Sequence, residues 1–243
     1  MRILIMILCS TLSYLASAQI ITDRPDQTES PITVPYKSLQ IETGSQLMYQ
    51  TSGDLTTREL LIPTTLLRLG VASGFELRLL TQYQSVRAFD KTTNSIPDIE
   101  IGAKVWLAGG TESKTNIGLI SHLAVPSSNT STSEDGYGIS LILSVDHELG
   151  NGLSFAYNLG YNSKAAVDGA LTYTAALGWG LTDKLNVYVE PYGTYNGLEG
   201  LVVNADAGFA YLINDRLQYD FSFGIGISNR MNYLSTGVSW LIQ

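Results

Sequence analysis

The chain has 243 residues, of which 44% are hydrophobic, and its 14 Lys and Arg against 22 Asp and Glu give a net charge of −8. An acidic chain with scattered basic residues is poorly suited to nucleic acid, so that partner is excluded. After the N-terminal leader, no segment approaches 18 consecutive apolar residues, and no transmembrane helix is predicted. The length suffices for one large all-β domain.

Residues 1–18 have the three parts of a secretory signal peptide. Arg2 supplies a positive n-region, residues 3–16 supply an apolar h-region, and residues 16–18 (ASA) form a small-residue cleavage site. Cleavage also removes Cys9, the only cysteine, so the mature chain has no thiol for a disulfide or a thiolate metal site. We therefore predict export, and a mature chain of 225 residues with a net charge of about −9.

Residues 19–36 form a charged segment that precedes the first predicted strand. Pro25, Pro31 and Pro35 favour an extended backbone over a helix, because proline fixes φ and disfavours helical geometry in the residue before it. The segment is predicted to be a separate N-terminal element.

From residue 38 onward, apolar and polar residues alternate with a period of two, which is the period of a β-strand. In residues 153–162 (LSFAYNLGYN), large apolar and aromatic side chains occupy one face, and small or polar side chains occupy the other. Twelve such segments are predicted, at residues 38–50, 57–71, 75–87, 97–108, 115–126, 137–149, 153–163, 169–181, 185–195, 201–213, 217–228 and 232–242.

Short turns alternate with longer polar loops along this series, which is typical of outer-membrane barrels. The polar face is rich in Gly, Ser, Thr and Asn, as expected for a lumen, and the apolar face suits lipid. We predict an all-β fold: an antiparallel transmembrane β-barrel of about 12 strands, outer-membrane type, over residues 37–243. The alternative is a soluble β-sandwich or lipocalin-like barrel.

Aromatic residues are predicted at two levels, as two membrane interfaces favour. An even number of strands places both termini in the periplasm. The outer level then contains Tyr49, Tyr83, Tyr137, Tyr161, Tyr173 and Tyr195, and the periplasmic level contains Phe75, Trp179, Tyr211, Tyr219 and Trp240.

The second segment departs from simple alternation. It has apolar residues on both faces, and Pro63 cannot donate a ladder hydrogen bond. A β-bulge is predicted there, which leaves the register of Arg68 open.

The stretch TDRPDQTESPITVPYKSLQIETG, residues 22–44, resembles the N-terminal signature of an outer-membrane transporter family named for the MetA pathway of phenol degradation. Lys37 departs from the usual Gly, which puts the turn after Pro35 in question. Residues 59–79 and 204–228 resemble further hairpins of this family. The resemblance implies export, a barrel and transport. The matching positions are Asp23, Arg24, Pro25, Asp26, Thr28, Glu29, Ser30, Pro31, Thr33, Val34, Pro35, Gln40, Glu42 and Gly44.

Charged strand residues should face the lumen, because a Lys or Arg facing lipid at the midplane costs roughly 2–4 kcal/mol. Alternation places Asp98, Asp146 and Glu190 there together with the strand residues among the candidates, and Arg68 joins them if its register permits. Such charges either brace the wall or line a permeation path. The candidates are Asp23, Arg24, Asp26, Glu29, Glu42, Arg68, Glu76, Arg78, Glu100, Lys104, Asp206 and Asp220.

A twelve-stranded lumen lies between a filled eight-stranded barrel and an open porin, so it can hold an inserted segment. Residues 19–36 are the candidate plug. Asp23, Asp26 and Glu29 are expected to pair with Arg68, Arg78 or Lys104, and Arg24 is expected to pair with Glu76 or Glu100. The alternative is a solvated lead-in to the barrel from the periplasm.

Catalysis has little support in the sequence. His122 faces the predicted lumen and His147 lies on the apolar register, and neither has a Ser and a carboxylate at a recognisable spacing. No cofactor, metal or catalytic residue is predicted.

We predict an outer-membrane channel for passive or facilitated passage of small solutes. The family name adds that these solutes are hydrophobic or aromatic. Its partners are outer-membrane lipids, the solute and, during biogenesis, the barrel-assembly machinery. The oligomeric state stays open. The competing classes are a structural barrel and an enzyme of the lipid surface.

Overall fold

The computed structural model describes residues 19–110, 113–126, 136–164, 167–198 and 200–243. The predicted signal peptide lies outside the described residues. The strands are β1 (Leu39–Ser52), β2 (Leu55–Ala72), β3 (Phe75–Ala88), β4 (Lys91–Ser95), β5 (Ile99–Ala108), β6 (Thr115–Val125), β7 (Gly138–Gly150), β8 (Leu153–Lys164), β9 (Val167–Gly180), β10 (Leu185–Asn196), β11 (Gly200–Asn214), β12 (Leu217–Gly226) and β13 (Arg230–Ile242).

Twelve of these strands form a closed antiparallel barrel. Consecutive strands pair around the wall, β5 pairs with β3, and β1 closes the ring by pairing with both β2 and β13. In the described part of the chain, no helix has the length and apolarity needed to cross a membrane. The prediction of an outer-membrane-type barrel of about twelve antiparallel strands is confirmed.

The short strand β4 was not predicted, because residues 91–95 (KTTNS) are polar and do not alternate. It pairs with Gln84–Ala88, at the outer end of β3, while β5 pairs only with Phe75–Leu80. β4 therefore covers part of the β3 edge that β5 leaves without a partner, which is a tertiary requirement with no local sequence signal.

The predicted irregularity of the second strand is present at Pro63. The registers of β2 with β1 and with β3 both shift between Leu61 and Thr64. Beyond this bulge, Arg68 faces the lumen with a fully buried side chain.

The large apolar side chains point outward. Leu159, Tyr161 and Ile225 are about half exposed, whereas Asn158 and Asp220 on the opposite face are buried. Exposed aromatic side chains lie near both ends of the barrel. They include Tyr49, Tyr83, Tyr137, Tyr161 and Tyr195 at the end predicted to face outward (the outer end) and Trp179, Tyr211, Tyr219 and Trp240 at the end predicted to face the periplasm (the periplasmic end).

The N-terminal segment, residues 19–36, runs inside the barrel. It starts at the periplasmic rim, where the amide of Ile20 donates to the carbonyl of Asp215 in the β11–β12 turn. It crosses the lumen and returns to β1 through a turn in which Lys37 has a φ of 66°. Lys37 thus adopts the left-handed conformation that a Gly would take most easily.

Candidate functional site: the filled lumen

A cluster of buried charges fixes one side of the N-terminal segment to the wall. Arg68 lies 2.9 Å from the carboxylates of Glu42 and of Glu76, and 3.3 Å from Asp23. Its guanidinium also donates to the carbonyl of Ile21. A buried guanidinium is tolerated only when its donors are satisfied, and here both strand carboxylates and the segment supply acceptors.

Asp23 is the point at which the segment meets this cluster. Its carboxylate lies 2.9 Å from Arg78 and 2.8 Å from Lys104, in addition to Arg68. Burial alone would raise the pKa of Asp23, but the coulombic effect of Arg68, Lys104 and Arg78 holds that pKa well below its usual value. Asp23 also accepts a hydrogen bond from the amide of Ser30, which closes the segment on itself.

Arg24 attaches the segment to β12 and β13, which lie beside β1 in the barrel. Its guanidinium lies 3.0 Å from Asp220 on β12 and donates to Ser235 on β13. The predicted partners of Arg24, Glu76 and Glu100, are therefore wrong. Glu76, on β3, is engaged by Arg68 on the neighbouring strand β2.

Hydrogen bonds hold the middle of the segment against β7, β8 and β10. Thr28 donates to Glu190 at 2.5 Å, and the amide of Gln27 donates to the same carboxylate at 2.7 Å. The amide of Glu29 donates to Asn158, and its carbonyl accepts from Ser144. The segment therefore binds β7, β8 and β10 as well as the strands that carry the charged cluster.

Of the predicted acidic residues of the segment, Asp23 and Glu29 meet cations, and Glu29 lies 2.5 Å from Arg78. Asp26 has no ion pair among the described residues. Enclosure in the lumen, with Asp206 nearby, raises the pKa of Asp26 to about 7.

Two glycines let the returning arm of the segment lie directly on the wall. A Cβ at Gly118 on β6 would lie 2.6 Å from the carbonyl oxygen of Pro31. A Cβ at Gly70 on β2 would overlap the carbonyl oxygen of Pro35. The opposing atoms are backbone atoms, so a side chain here would displace the segment.

Replacing Gly118 by Ala is expected to destabilise the seated segment by about 1–3 kcal/mol, the usual cost of overpacking. The strand pairing of the barrel wall should be unchanged. Single-channel recording should show a higher mean conductance or more frequent opening. Gly110→Ala is the matched control, because a Cβ at Gly110 meets no atom within 4 Å. Identical recordings from the two variants would contradict the close contact of Pro31 with β6.

Two cavities flank the segment. The outer cavity, of about 620 Å³, extends from the segment toward the outer ends of β7, β8 and β9, where Ser140, Asn162 and Ala170 line it. The inner cavity, of about 400 Å³, reaches the periplasmic turn at Lys184. Arg24, Pro25 and Asp26 line both cavities.

Of the remaining predicted site residues, Glu100 lines the outer cavity, whereas Asp206 lines neither cavity. Glu100 Oε2 lies 3.1 Å from His122 Nδ1, so His122 does not face the lumen alone. His122 Nε2 is buried without a hydrogen-bond partner among the described residues, and its ring lies over Gly102. Within that same part of the chain, no group of His, Cys, Asp and Glu side chains is arranged to hold a metal ion.

Sequence reasoning missed the neutral contacts of the site. Thr28 of the segment binds Glu190 of the wall, and Ser144 and Asn158 of the wall bind the segment, as directly as the charged residues do. Alternation does place Ser144 and Asn158 on the lumen face, but it distinguishes them from no other small polar lumen residue. Their role depends on the path of the segment.

A closed antiparallel barrel with an apolar outer face and a polar, charged lumen defines the class of outer-membrane β-barrel proteins. The family model described as "Putative MetA-pathway of phenol degradation" matches residues 22–241. The chain therefore belongs to this family, which confirms the resemblance seen in its N-terminal motif. No curated protein matches the sequence.

Solved structures of similar fold include an outer membrane channel from Pseudomonas putida F1, with a TM-score of 0.70 at 11% identity over 87% of this chain and 97% of that chain. The KdgM porin in complex with disordered oligogalacturonate has a TM-score of 0.55 at 15% identity, over 83% of this chain and 98% of that chain. The CymD monoaromatic hydrocarbon channel has a TM-score of 0.50 at 10% identity, over 86% of this chain and 89% of that chain. At these identities the similarity concerns the fold.

Proposed function

We propose that the protein is an outer-membrane channel for small solutes, and that the N-terminal segment is a plug that closes it. The observation that carries this proposal is the pair of cavities that open toward opposite ends of the barrel and meet at Arg24, Pro25 and Asp26. Displacing these three residues would join the cavities into one path. Membership in a family named for phenol degradation, and a fold shared with channels and porins, support the same function.

The outer cavity indicates which solutes the channel takes. Leucines and polar residues line it from β2 and β3 (Leu61, Thr64, Leu66, Leu80, Gln82), and isoleucines and polar residues line it from β7 and β8 (Ile139, Ser140, Ile142, Asn162). Aliphatic and polar groups side by side on the same walls suit a small amphiphilic solute. The described lining residues include no Phe, Tyr or Trp, so an aromatic solute would rest mainly on aliphatic side chains.

The same proposal includes how the protein reaches the outer membrane and what it contacts there. The leader at residues 1–18 directs export, the barrel-assembly machinery inserts the barrel, and lipids contact the exposed apolar face. The aromatic side chains at both ends of the barrel occupy the two interfaces.

The proposal assigns no chemical reaction to the barrel. A Ser–His pair requires a hydroxyl within hydrogen-bonding reach of the imidazole. Ser140 is the direct cross-strand neighbour of His122, yet His122 Nε2 has no hydrogen-bond partner among the described residues. A lipid-hydrolysis assay with a His122→Ala control tests this assignment, and hydrolysis that depends on His122 would contradict it.

Proteoliposome swelling tests channel activity. Vesicles that contain the mature protein should swell in small solutes, faster for small amphiphiles than for sugars of equal size, and should not swell in large oligosaccharides. Empty vesicles are the control. Absence of flux with every solute, from a protein that shows heat-modifiable mobility and is therefore folded, would contradict the proposed function.

A further inference from the structure

Two carboxyl groups meet in the lumen wall without a cation between them. Glu190 on β10 and Asp206 on β11 are direct cross-strand partners that face the lumen, with side chains within hydrogen-bonding reach of each other. Both residues are buried. Like charges directly opposite on neighbouring strands destabilise a sheet, and two carboxylates can bond to each other only through a proton.

The hydrogen bonds around the pair leave one acceptor open. Both oxygens of Glu190 accept hydrogen bonds from the segment, at Thr28 and Gln27. Asp206 Oδ2 accepts a hydrogen bond from Tyr233 at 2.5 Å, and Asp206 Oδ1 is buried with no donor among the described residues. A proton shared between the two carboxyls would satisfy Oδ1 and would remove one of two adjacent charges.

The groups that face this pair supply no free positive charge. Tyr188 and Tyr192 flank Glu190 on β10, Tyr233 comes from β13, and Asp26 approaches from the segment. Arg24, the described cation of the segment, lies 3.0 Å from Asp220 on β12 and is engaged there. None of the ion pairs within the described ranges involves Glu190 or Asp206.

We propose that Glu190 and Asp206 form a proton-binding site that seats the N-terminal segment, and that loss of the shared proton to water releases it. With the proton, Glu190 holds Thr28 and Gln27. Without it, the two adjacent carboxylates repel each other and separate, and the contact with the segment breaks. This inference rests on the proposed channel function and adds its regulation: the lumen opens as the pH rises.

Asp26 acts in the same direction. Its pKa is raised from its ordinary value to about 7, so its protonated form is the one favoured in the seated segment. Its contribution to seating is therefore complete at acid pH and is lost as the pH rises toward and through about 7. Asp26 and the pair thus favour closure at low pH and opening at high pH.

The test compares the native pair with Glu190→Gln. This variant has the same charge as the singly protonated pair, and its amide does not titrate, so the pair cannot become doubly charged. Ser30→Cys places a thiol on the segment in an otherwise cysteine-free mature chain, and a bulky maleimide reports its exposure. The labelling rate with the native pair, divided by the rate with Glu190→Gln, cancels the pH dependence of the thiol itself. One proton per opening predicts that this ratio rises about tenfold per pH unit while the seated form dominates.

Glu59→Gln is the matched control, because it removes a carboxylate on β2 that lies outside the pair and lines neither cavity, and it should keep the native ratio. A ratio independent of pH, or one that follows cation concentration instead, would overturn the inference. Infrared spectroscopy gives a second readout, since the native protein should show a protonated carboxyl band near neutral pH that Glu190→Gln lacks. Labelling and infrared do not require solute flux, so failure of the channel proposal would be distinguishable from failure of the proton site.

Discussion

Replacing Arg68 by Met is expected to destabilise the folded, plugged barrel by about 3–5 kcal/mol, the cost of removing one partner from a buried ion pair. Arg68 is fully buried and binds Glu42, Glu76 and Asp23 at once. Methionine fills a similar volume but leaves Glu42 without a cation. The measurement is the free energy of unfolding by denaturant in lipid vesicles, followed by tryptophan fluorescence.

Arg58→Met is the control for this experiment, because Arg58 lies on the same strand and is exposed. The free energy of unfolding of Arg58→Met should stay within about 0.5 kcal/mol of the native value. Arg68→Lys keeps the charge but cannot reproduce the forked hydrogen bonds. Its free energy of unfolding should therefore lie between those of Arg68→Met and Arg58→Met. Equal stability of Arg68→Met and Arg58→Met would show that the buried cluster does not stabilise the barrel.

Replacing Asp23 by Asn should release the segment from the lumen. Among the described residues, Asp23 is the one carboxylate that Arg68, Arg78 and Lys104 share, and without it these cations on neighbouring strands lose their common counter-charge. A loss of about 3 kcal/mol from this buried contact corresponds to roughly a hundredfold rise in the open population. The open fraction in single-channel recordings, or the labelling rate of Ser30→Cys, measures this effect.

Asp26→Asn is the matched comparison, since it makes the same chemical change three residues away. Because the pKa of Asp26 is raised, its charge opposes seating, and the amide should leave the segment seated or hold it more firmly. The pKa of Asp23 is lowered, so its contribution is present above its ordinary value near 3.8 and is lost as the pH falls. If both variants open the lumen equally, the seating does not depend on the ion pairs of Asp23.

The strands could be predicted from the sequence because a barrel wall repeats one local pattern. Each strand alternates apolar and polar residues, and its ends coincide with turns, so β8 and β10 match their predicted bounds closely. Pro63 indicated the bulge because proline lacks the donor that a regular ladder needs. No such pattern indicated β4, whose pairing reflects the length of β3 beyond β5.

The site was predictable in composition but not in pairing. Alternation places Arg68, Arg78 and Lys104 on the lumen face, and a nearby acidic segment is their natural complement. Alternation does not give the path of that segment, which has no repeating pattern of its own. Arg24 therefore meets Asp220, on a strand nearly two hundred residues away in sequence, rather than the predicted Glu76 or Glu100.

The most direct test of the account is the single-channel conductance of the mature protein with and without residues 19–35, in the same lipid and salt. The intact chain should be mostly closed, with brief openings. The shortened chain should conduct continuously at a several-fold higher level, because the outer and inner cavities are then joined. Equal conductance of the two proteins, with equal thermal stability, would contradict the claim that the N-terminal segment closes the lumen.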